Sequence, residues 1–422
     1  MKKLFFLIFL PTVVFSLQFE KPLGIVENLQ ENIQEISFYN EVPSRIKNEK
    51  GEPLQVGLPL EYKIDLHKIG DYFFLKDGKV VFRVSFFAPA FLWLSFEFEN
   101  VKIPENAKFF IYRDENLIRQ IKFENENIFI IPPFPSNRCI IEVDFKDKLE
   151  PFELKLSTVV LGFKDFLNAK NSQYCEVDIN CPEGNDWQNE KRSVAGVYFG
   201  GYFCTGALLN NAKQDCKNYF LIANHCISNE TNANRATFYW NYEWSGCASG
   251  DLLYGDYTAG ATLKATNKKS DFTLLEITSQ PKAEYKVYYS GWTIDPNPPT
   301  GAVIIHHPDA DAKKISIEEH NLYLDGSFWK VPHYEVGATE PGSSGSPIYN
   351  MKHQVIGQLY GGYSTCDKPR NDFYGAFHIS WSSGTSPQTR LKDWLDPDNT
   401  GILEIQGMDS RGCYRQHKRP FN

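Results

Sequence analysis

The sequence predicts an all-β protein in two parts, a small antiparallel β-sandwich followed by a longer set of strands forming a sandwich or barrel. Three observations carry this. Short runs with period-two apolar character recur between turn signals along most of the chain. Phe, Tyr and Trp make up 15% of the 422 residues, and aromatic side chains favour strands. No helical pattern separates successive strand candidates, which argues against parallel βαβ units. The length suits two domains, and a hydrophobic content of 42% is ample for packed cores. The net charge of −8 offers no electrostatic footprint for nucleic acid.

Met1-Lys2-Lys3 and the apolar run 4–14 read as a secretory signal peptide cleaved after Ser16. That run is too short to span a bilayer comfortably, and no later segment has the length and apolarity to do so. No membrane association is therefore expected once residues 1–16 are removed. Nine cysteines in an exported chain point to disulfides. They are Cys139, Cys175, Cys181, Cys204, Cys216, Cys226, Cys247, Cys366 and Cys413. The odd count leaves at least one thiol without an internal partner. No Cys-x-x-Cys pair appears, which disfavours a zinc knuckle.

Residues 17–170 form the first unit. Strands are expected there at 80–86, 92–98, 108–112 and 139–145, with Pro-Pro-Phe-Pro (132–135) punctuating the last hairpin and loops at 50–53 and 124–127. It contains no histidine pair, cysteine pair or serine motif. The polar stretch 165–173 is the boundary. In the second unit, 171–410, strands are expected at 194–199, 203–209, 219–223, 236–240, 272–277, 285–292, 302–306, 328–336, 355–359 and 375–381. One helix is expected near the end. Ser386 caps it, Pro387 suits its first position, Leu391, Trp394 and Leu395 share a face, and Pro397 stops it. A short basic tail, 411–422, follows.

The second unit is organised around Glu340-Pro341-Gly342-Ser343-Ser344-Gly345-Ser346-Pro347. As a bare Gly/Ser stretch it would suit a linker, but it lies between prolines and strand-like runs. Gly342 and Gly345 allow tight backbone geometry beside Ser344, aiming the N–H groups of Gly342 and Ser344 at one point next to the hydroxyl. A nucleophile beside two convergent donors is what acyl transfer needs, because the donors bind the oxyanion formed on attack. Upstream, the apolar run 219–223 ends in Asn224-His225-Cys226, which puts His225 at a strand end as a candidate general base. Asp271 immediately precedes the apolar run 272–277. Alone it reads as a strand-initiating turn residue; in company it can orient an imidazole. The chain order His225, Asp271, Ser344 is that of the chymotrypsin-type double barrel.

From about Cys175 to Leu403 the chain resembles the trypsin-like serine endopeptidases, and most closely their lysyl endopeptidase branch. The resemblance rests on Cys-Pro-Glu-Gly (181–184), the run 219–226, Tyr239-Trp240-Asn241-Tyr242, the run 270–276, Ile305-His306-His307-Pro308, the run 340–349, Gly357-Gln358-Leu359 and the run 393–397. It implies a chymotrypsin-like double β-barrel with a C-terminal helix, His225 as base, Asp271 as orienting acid, Ser344 as nucleophile, and the Gly342 and Ser344 amides as oxyanion hole. It also implies that Asp372, in Asn371-Asp372-Phe373-Tyr374-Gly375, lies in the primary specificity pocket and meets a substrate ammonium. A buried carboxylate without a partner is costly, and a bound Lys side chain would pair it.

Two departures stand out. Tyr360 precedes Gly361-Gly362 where the branch has a histidine, and the tryptophan that stacks on that histidine has no clear counterpart in 317–328. Both places shape binding beside the cleaved bond, so basic specificity is expected rather than strict lysine specificity. The resemblance further implies disulfides Cys175–Cys366, Cys181–Cys247 and Cys204–Cys226; nothing in the sequence pairs Cys216 with Cys413. If the pocket takes Lys, the bond Lys170–Asn171 is itself a substrate, and 17–170 becomes a propeptide that the enzyme removes. Trypsin pairs its new N-terminus with an acid just before the serine; Ser343 stands there, so release must act differently. Adjacent His306 and His307 on a strand point to opposite faces, so no metal is expected, and no cofactor. The expectation is a secreted, monomeric serine endopeptidase acting on proteins or peptides after Lys, or Arg. The rivals are a catalytically inactive trypsin-fold binding module and a protease with a different pocket.

Overall fold

The computed structural model describes residues 20–29, 33–43, 51–121, 128–168 and 170–416. The expected leader 1–16, the loop 124–127, Lys50 and the end of the tail lie outside these residues. In the first unit, one sheet runs Glu35–Ser37, Val80–Phe87, Arg138–Phe145, Lys108–Asp114, Leu117–Ile121, with Asp71–Phe74 beside Val80–Phe87. A second runs Gly57–Asp65, Glu153–Gly162, Trp93–Lys102, Ile128–Phe134. Their inner faces share one apolar cluster that includes the fully buried Phe82, Phe86, Phe96, Phe98, Ile141 and Val159. Burying each such side chain is worth about 1.5–3 kcal/mol. Pro132 and Pro133 do not interrupt the chain as expected but lie inside Ile128–Phe134. That strand is at the sheet edge, where a missing N–H costs no ladder bond.

The second unit contains two further sheets. The first runs Tyr257–Ala259, Thr237–Tyr239, Val194–Phe199, Tyr202–Leu209, Tyr219–Ala223, Phe272–Ile277, Ala261–Asn267. Its two ends meet at Gly260, which donates to Ala236 O and accepts from Thr278 N. The second runs Val177–Asp178, Lys314–Asn321, Thr300–His306, Pro347–Tyr349, Gln354–Gly362, Asp372–Ala376, Phe328–Val331, Tyr323–Asp325. This is the all-β, chymotrypsin-like double barrel that the resemblance implied.

Four expected elements differ. The strand expected over 285–292 begins as a 3₁₀ turn, Ala283–Tyr285, and is broken into two short strands, Tyr288–Tyr289 and Gly291–Thr293, which pair in different sheets. The strand expected over 375–381 ends at Ala376, and Phe377–Ser382 is helical. Phe377 and Trp381, four residues apart, both pack on Trp292, a helical spacing that outweighs the local strand character. The single helix expected from Ser386 is split into a 3₁₀ turn, Pro387–Thr389, and a short helix, Lys392–Leu395. Ser386 caps the first as expected, but Leu391 N donates to Ser380 O, which draws the backbone out of a continuous helix. The strand expected over 328–336 stops at Val331, because Pro332 cannot donate to the ladder.

The two units share apolar surface. Leu54–Gln55 leaves the sandwich and pairs antiparallel with Tyr202–Phe203 of the first barrel. Around this junction Leu54, Val56, Trp93, Val160 and Phe166 bury against Tyr198, Phe203, Tyr239 and Tyr242.

Candidate active site

Two strands position Asp271 and His225. Tyr219–Ala223 and Phe272–Ile277 are antiparallel, and Ala223 faces Phe272 at the last pair. His225 and Asp271, just beyond that pair, therefore emerge side by side. His225 N donates to Asp271 Oδ1 at 3.0 Å, and its Nδ1 lies 2.7 Å from Asp271 Oδ2. With a carboxylate as partner, Nδ1 carries the proton and Nε2 keeps its lone pair. Nε2 is buried and makes no hydrogen bond among the described residues. Asp271 takes φ +52°, a left-handed turn that Gln358 stabilises by donating to Ser270 O at 2.8 Å and Asp271 O at 3.2 Å.

The serine loop sits on the same strand end. Thr205 N donates to Ser344 O at 2.9 Å, Gly345 N donates to Leu359 O at 2.8 Å, and Thr205 Oγ1 donates to Gly342 O at 2.9 Å. At Gly345 (φ +84°) a Cβ would lie 2.4 Å from Thr205 O and 2.8 Å from Ala223 N. Only glycine lets the loop approach the strand that carries His225. Among the described residues neither the Gly342 nor the Ser344 N–H is committed to a hydrogen bond. His225 and Asp271 are thus in contact, and Ser344 is held beside them. No hydrogen bond joins its hydroxyl to Nε2 in this arrangement, a bond that often tightens only with substrate.

Behind the loop, Ser343 Oγ lies 2.8 Å from His306 Nδ1, and Ser316 Oγ lies 3.0 Å from its Nε2. Burial, with the Lys314 charge adding to it, lowers the His306 pKa to about 3. His307 turns the other way, stacks on Tyr242 at 5.3 Å, and places Nδ1 2.9 Å from Asp311 O. Burial likewise holds it well below the usual histidine range. The two neutral imidazoles face opposite sides, and His306 buttresses the loop through Ser343.

Asp372 opens the strand Asp372–Ala376, opposite Gly362, and is fully buried. Its Oδ2 accepts from Tyr334 OH at 3.0 Å and Thr339 Oγ1 at 2.6 Å, and its Oδ1 accepts from Ser364 N at 3.1 Å. Burial, then the Asp372 charge, holds the Tyr334 hydroxyl well above its ordinary pKa, so it stays a donor. A Cβ on Gly362 would overlap Asp372 Oδ1 at 1.8 Å, so the Gly361-Gly362 pair lies directly against the carboxylate. Tyr360 stands edge-on to His225 at 5.9 Å and packs on Phe328 at 5.3 Å. Phe328 supplies the aromatic support for which the sequence offered no clear residue.

Disulfides join Cys175 to Cys366, Cys181 to Cys247, Cys204 to Cys226 and Cys216 to Cys413, leaving Cys139 as a buried thiol. Lys170 N and Ser172 N donate to Asp311 at 3.0 Å each, so the Lys170–Asn171 bond is held against the second unit. Sequence reasoning missed Thr205, Tyr334, Thr339 and Gln358. Thr205 had a signal: it follows Cys204, whose implied partner is next to His225. Gln358 reaches the site through its strand, and Tyr334 and Thr339 reach it from the irregular connection that follows Val331.

Glu176, beside Cys175, is buried with Oε2 3.7 Å from His306 Nε2. Burial, then the Glu340 charge, pushes its carboxyl well above the ordinary value. A raised carboxyl pKa means the folded state binds the extra proton, so stability falls as pH rises through about 4.5 toward the folded value. Glu176→Gln removes that loss. We expect its Tm to exceed the parent's by about 2–4 °C at pH 8, with no gain at pH 4. Thermal unfolding at both pH values checks this, and an equal shift at both contradicts it.

Residues 169–375 match the lysyl endopeptidase C-terminal domain family. Lysyl endopeptidase of Pseudomonas aeruginosa is 31% identical over 289 residues, covering 58% of this chain and 60% of that protein. The secreted RxLR effector protein 73 of Plasmopara viticola is 21% identical over 287 residues, covering 58% of this chain and 67% of its own. Among solved structures, Glu endopeptidase in complex with MPD overlaps 44% of this chain and 85% of its own at 18% identity and TM-score 0.31. The serine endoprotease from Yersinia pestis overlaps 46% and 61% at 15% identity and TM-score 0.32. At such scores the overlaps add nothing to the strand topology. The chain spans 60% of the length of its Pseudomonas relative. Through residues 169–375 it is similar to the lysyl endopeptidases, as its motifs implied.

Proposed function

We propose that the chain is a secreted serine endopeptidase, made as a proenzyme, that cleaves proteins or peptides after lysine, with arginine as an alternative. The observation that carries this is the two-point bond from Asp271 to the backbone and ring of His225, at a strand end to which the Ser344 loop is tied. Ser344 attacks the carbonyl while His225 Nε2 takes its proton and Asp271 stabilises the imidazolium. The Gly342 and Ser344 amides bind the oxyanion, each donor being worth about 2.7–4 kcal/mol of barrier. His225 then protonates the leaving amine, and water releases the acyl group by the same route in reverse. Asp372 receives the substrate ammonium, and Tyr360 on Phe328 walls the cleft beside it.

The apolar leader and four disulfides favour export. Cleavage of Lys170–Asn171 would release the first unit. Because Asp311 holds the amides on both sides of that bond, the cut is made by a second molecule, and its rate rises with protein concentration. The test combines three measurements on one preparation. A phosphonylating reagent should label Ser344, digestion of a mixed peptide pool should yield termini at Lys or Arg, and N-terminal sequencing should begin at Asn171. An unlabelled protein is an inactive module. Termini at other residues assign the pocket elsewhere.

A further inference from the structure

The first unit places one short segment in the cleft itself. Leu54 pairs with Phe203 and Gln55 with Tyr202, and the amides of Val56 and Gly57 donate to Gly201 O at 2.8 and 3.0 Å. Leu54 is 1% exposed, and its Cδ2 lies 3.1 Å from where a Cβ on Gly342 would stand. Three residues upstream, a Cβ on Gly51 would lie 3.2 Å from the Tyr360 hydroxyl, and Tyr360 is the ring that stands against His225. The segment therefore runs from the imidazole side of the site to the oxyanion glycine. Gly51, Glu52, Pro53 and Gln55 line one cleft together with His225, Asp271 and Tyr360.

We infer that residues Gly51–Val56 are a built-in inhibitor, a strap that occupies the cleft of the proposed enzyme without being a substrate for it. This rests on the serine endopeptidase reading. The residues bridging the two contacts explain why the strap survives. Glu52 carries the charge of Asp372 and is exposed, so like-charge repulsion keeps it from the specificity pocket. Pro53 has a fixed φ and no N–H, which makes the Glu52–Pro53 bond a poor one to cut. The strap is also anchored. Val56 O accepts from Phe163 N and Lys164 N at 3.1 Å each, and Gly57 opens a sandwich strand, so the strap leaves only with the first unit. Lys164 in turn pairs with Asp309 at 2.7 Å, and Asp309 N donates to Pro341 O at 2.6 Å, beside Gly342. Departure of the strap and relaxation of the oxyanion loop are therefore linked.

The test uses the full chain with Lys170→Ala, which keeps the first unit attached, and reads the rate at which the phosphonylating reagent labels Ser344. Adding Leu54→Ala, which empties the seat on Gly342, should speed labelling at least about tenfold. A second variant reads position independently of stability. Glu52→Lys with Pro53→Ala in the Lys170→Ala chain replaces both surface features that prevent cutting, and should create a new N-terminus at residue 53. The strap is wrong if the Lys170→Ala chain labels as fast as the naturally cut protein, or if the cut protein labels and neither variant changes anything. If the cut protein itself never labels, the serine endopeptidase reading fails, and the strap falls with it.

Discussion

Asp271→Asn is expected to lower kcat by about 10⁴-fold while leaving the fold and the KM for lysyl peptides nearly unchanged. Both Asp271 oxygens are occupied by His225, one by the backbone N–H and one by the ring Nδ1. An asparagine offers one oxygen and one NH₂ group. Whichever way it turns, it loses the backbone bond or reverses the ring bond. With the oxygen kept on the backbone N–H, its NH₂ faces Nδ1 and forces the proton to Nε2. The imidazole is then a donor where the reaction needs an acceptor. Ser344→Ala sets the floor, at a loss of roughly 10⁶-fold, since residues acting as one unit are not additive. Steady-state kinetics on a lysyl ester and circular dichroism of the same samples check both. A loss under tenfold for Asp271→Asn would remove Asp271 from the mechanism.

Asp372→Ser is expected to cost lysyl substrates about 10²–10⁴-fold in kcat/KM, the penalty for burying an ammonium without its counter-charge. The rate of phosphonylation by a reagent that carries no cation should stay within a few-fold of the parent. That second readout separates pocket chemistry from structure. Tyr334, Thr339 and the Ser364 amide all donate to Asp372, so its removal also frees three buried donors. Asp372→Asn keeps much of that hydrogen bonding and is the milder control. Equal losses with charged and uncharged reagents would mean that Asp372 only supports the wall.

The candidate site was legible because each chemical group stands next to a strong strand. His225 follows five buried residues and Asp271 precedes Phe272–Ile277, so antiparallel pairing of those strands brings the two together with no further information. The Ser344 loop announced itself through Gly342 and Gly345, both at positive φ. What could not be read depends on contacts between distant segments. Leu54–Gln55 is a two-residue strand with no periodicity of its own, and its meaning comes from an edge about 150 positions away. Phe328 looked like any strand residue until its ring met Tyr360. The helix Phe377–Ser382 was masked by aromatics that suit a strand locally and are turned helical by Trp292. Cys216 and Cys413 are separated by 197 positions, and no local pattern links them.

Those crossed bridges affect how the molecule ages in its own presence. Cys175–Cys366 and Cys216–Cys413 overlap along the chain, so one backbone cut anywhere from 217 to 365 lies inside both loops. Such a nicked molecule keeps its mass and parts into fragments only when a reductant is added. Damage by neighbouring molecules would then appear as a gradual fall in turnover with an unchanged sedimentation profile, and tail residue Cys413 would act as a rivet for the whole second unit.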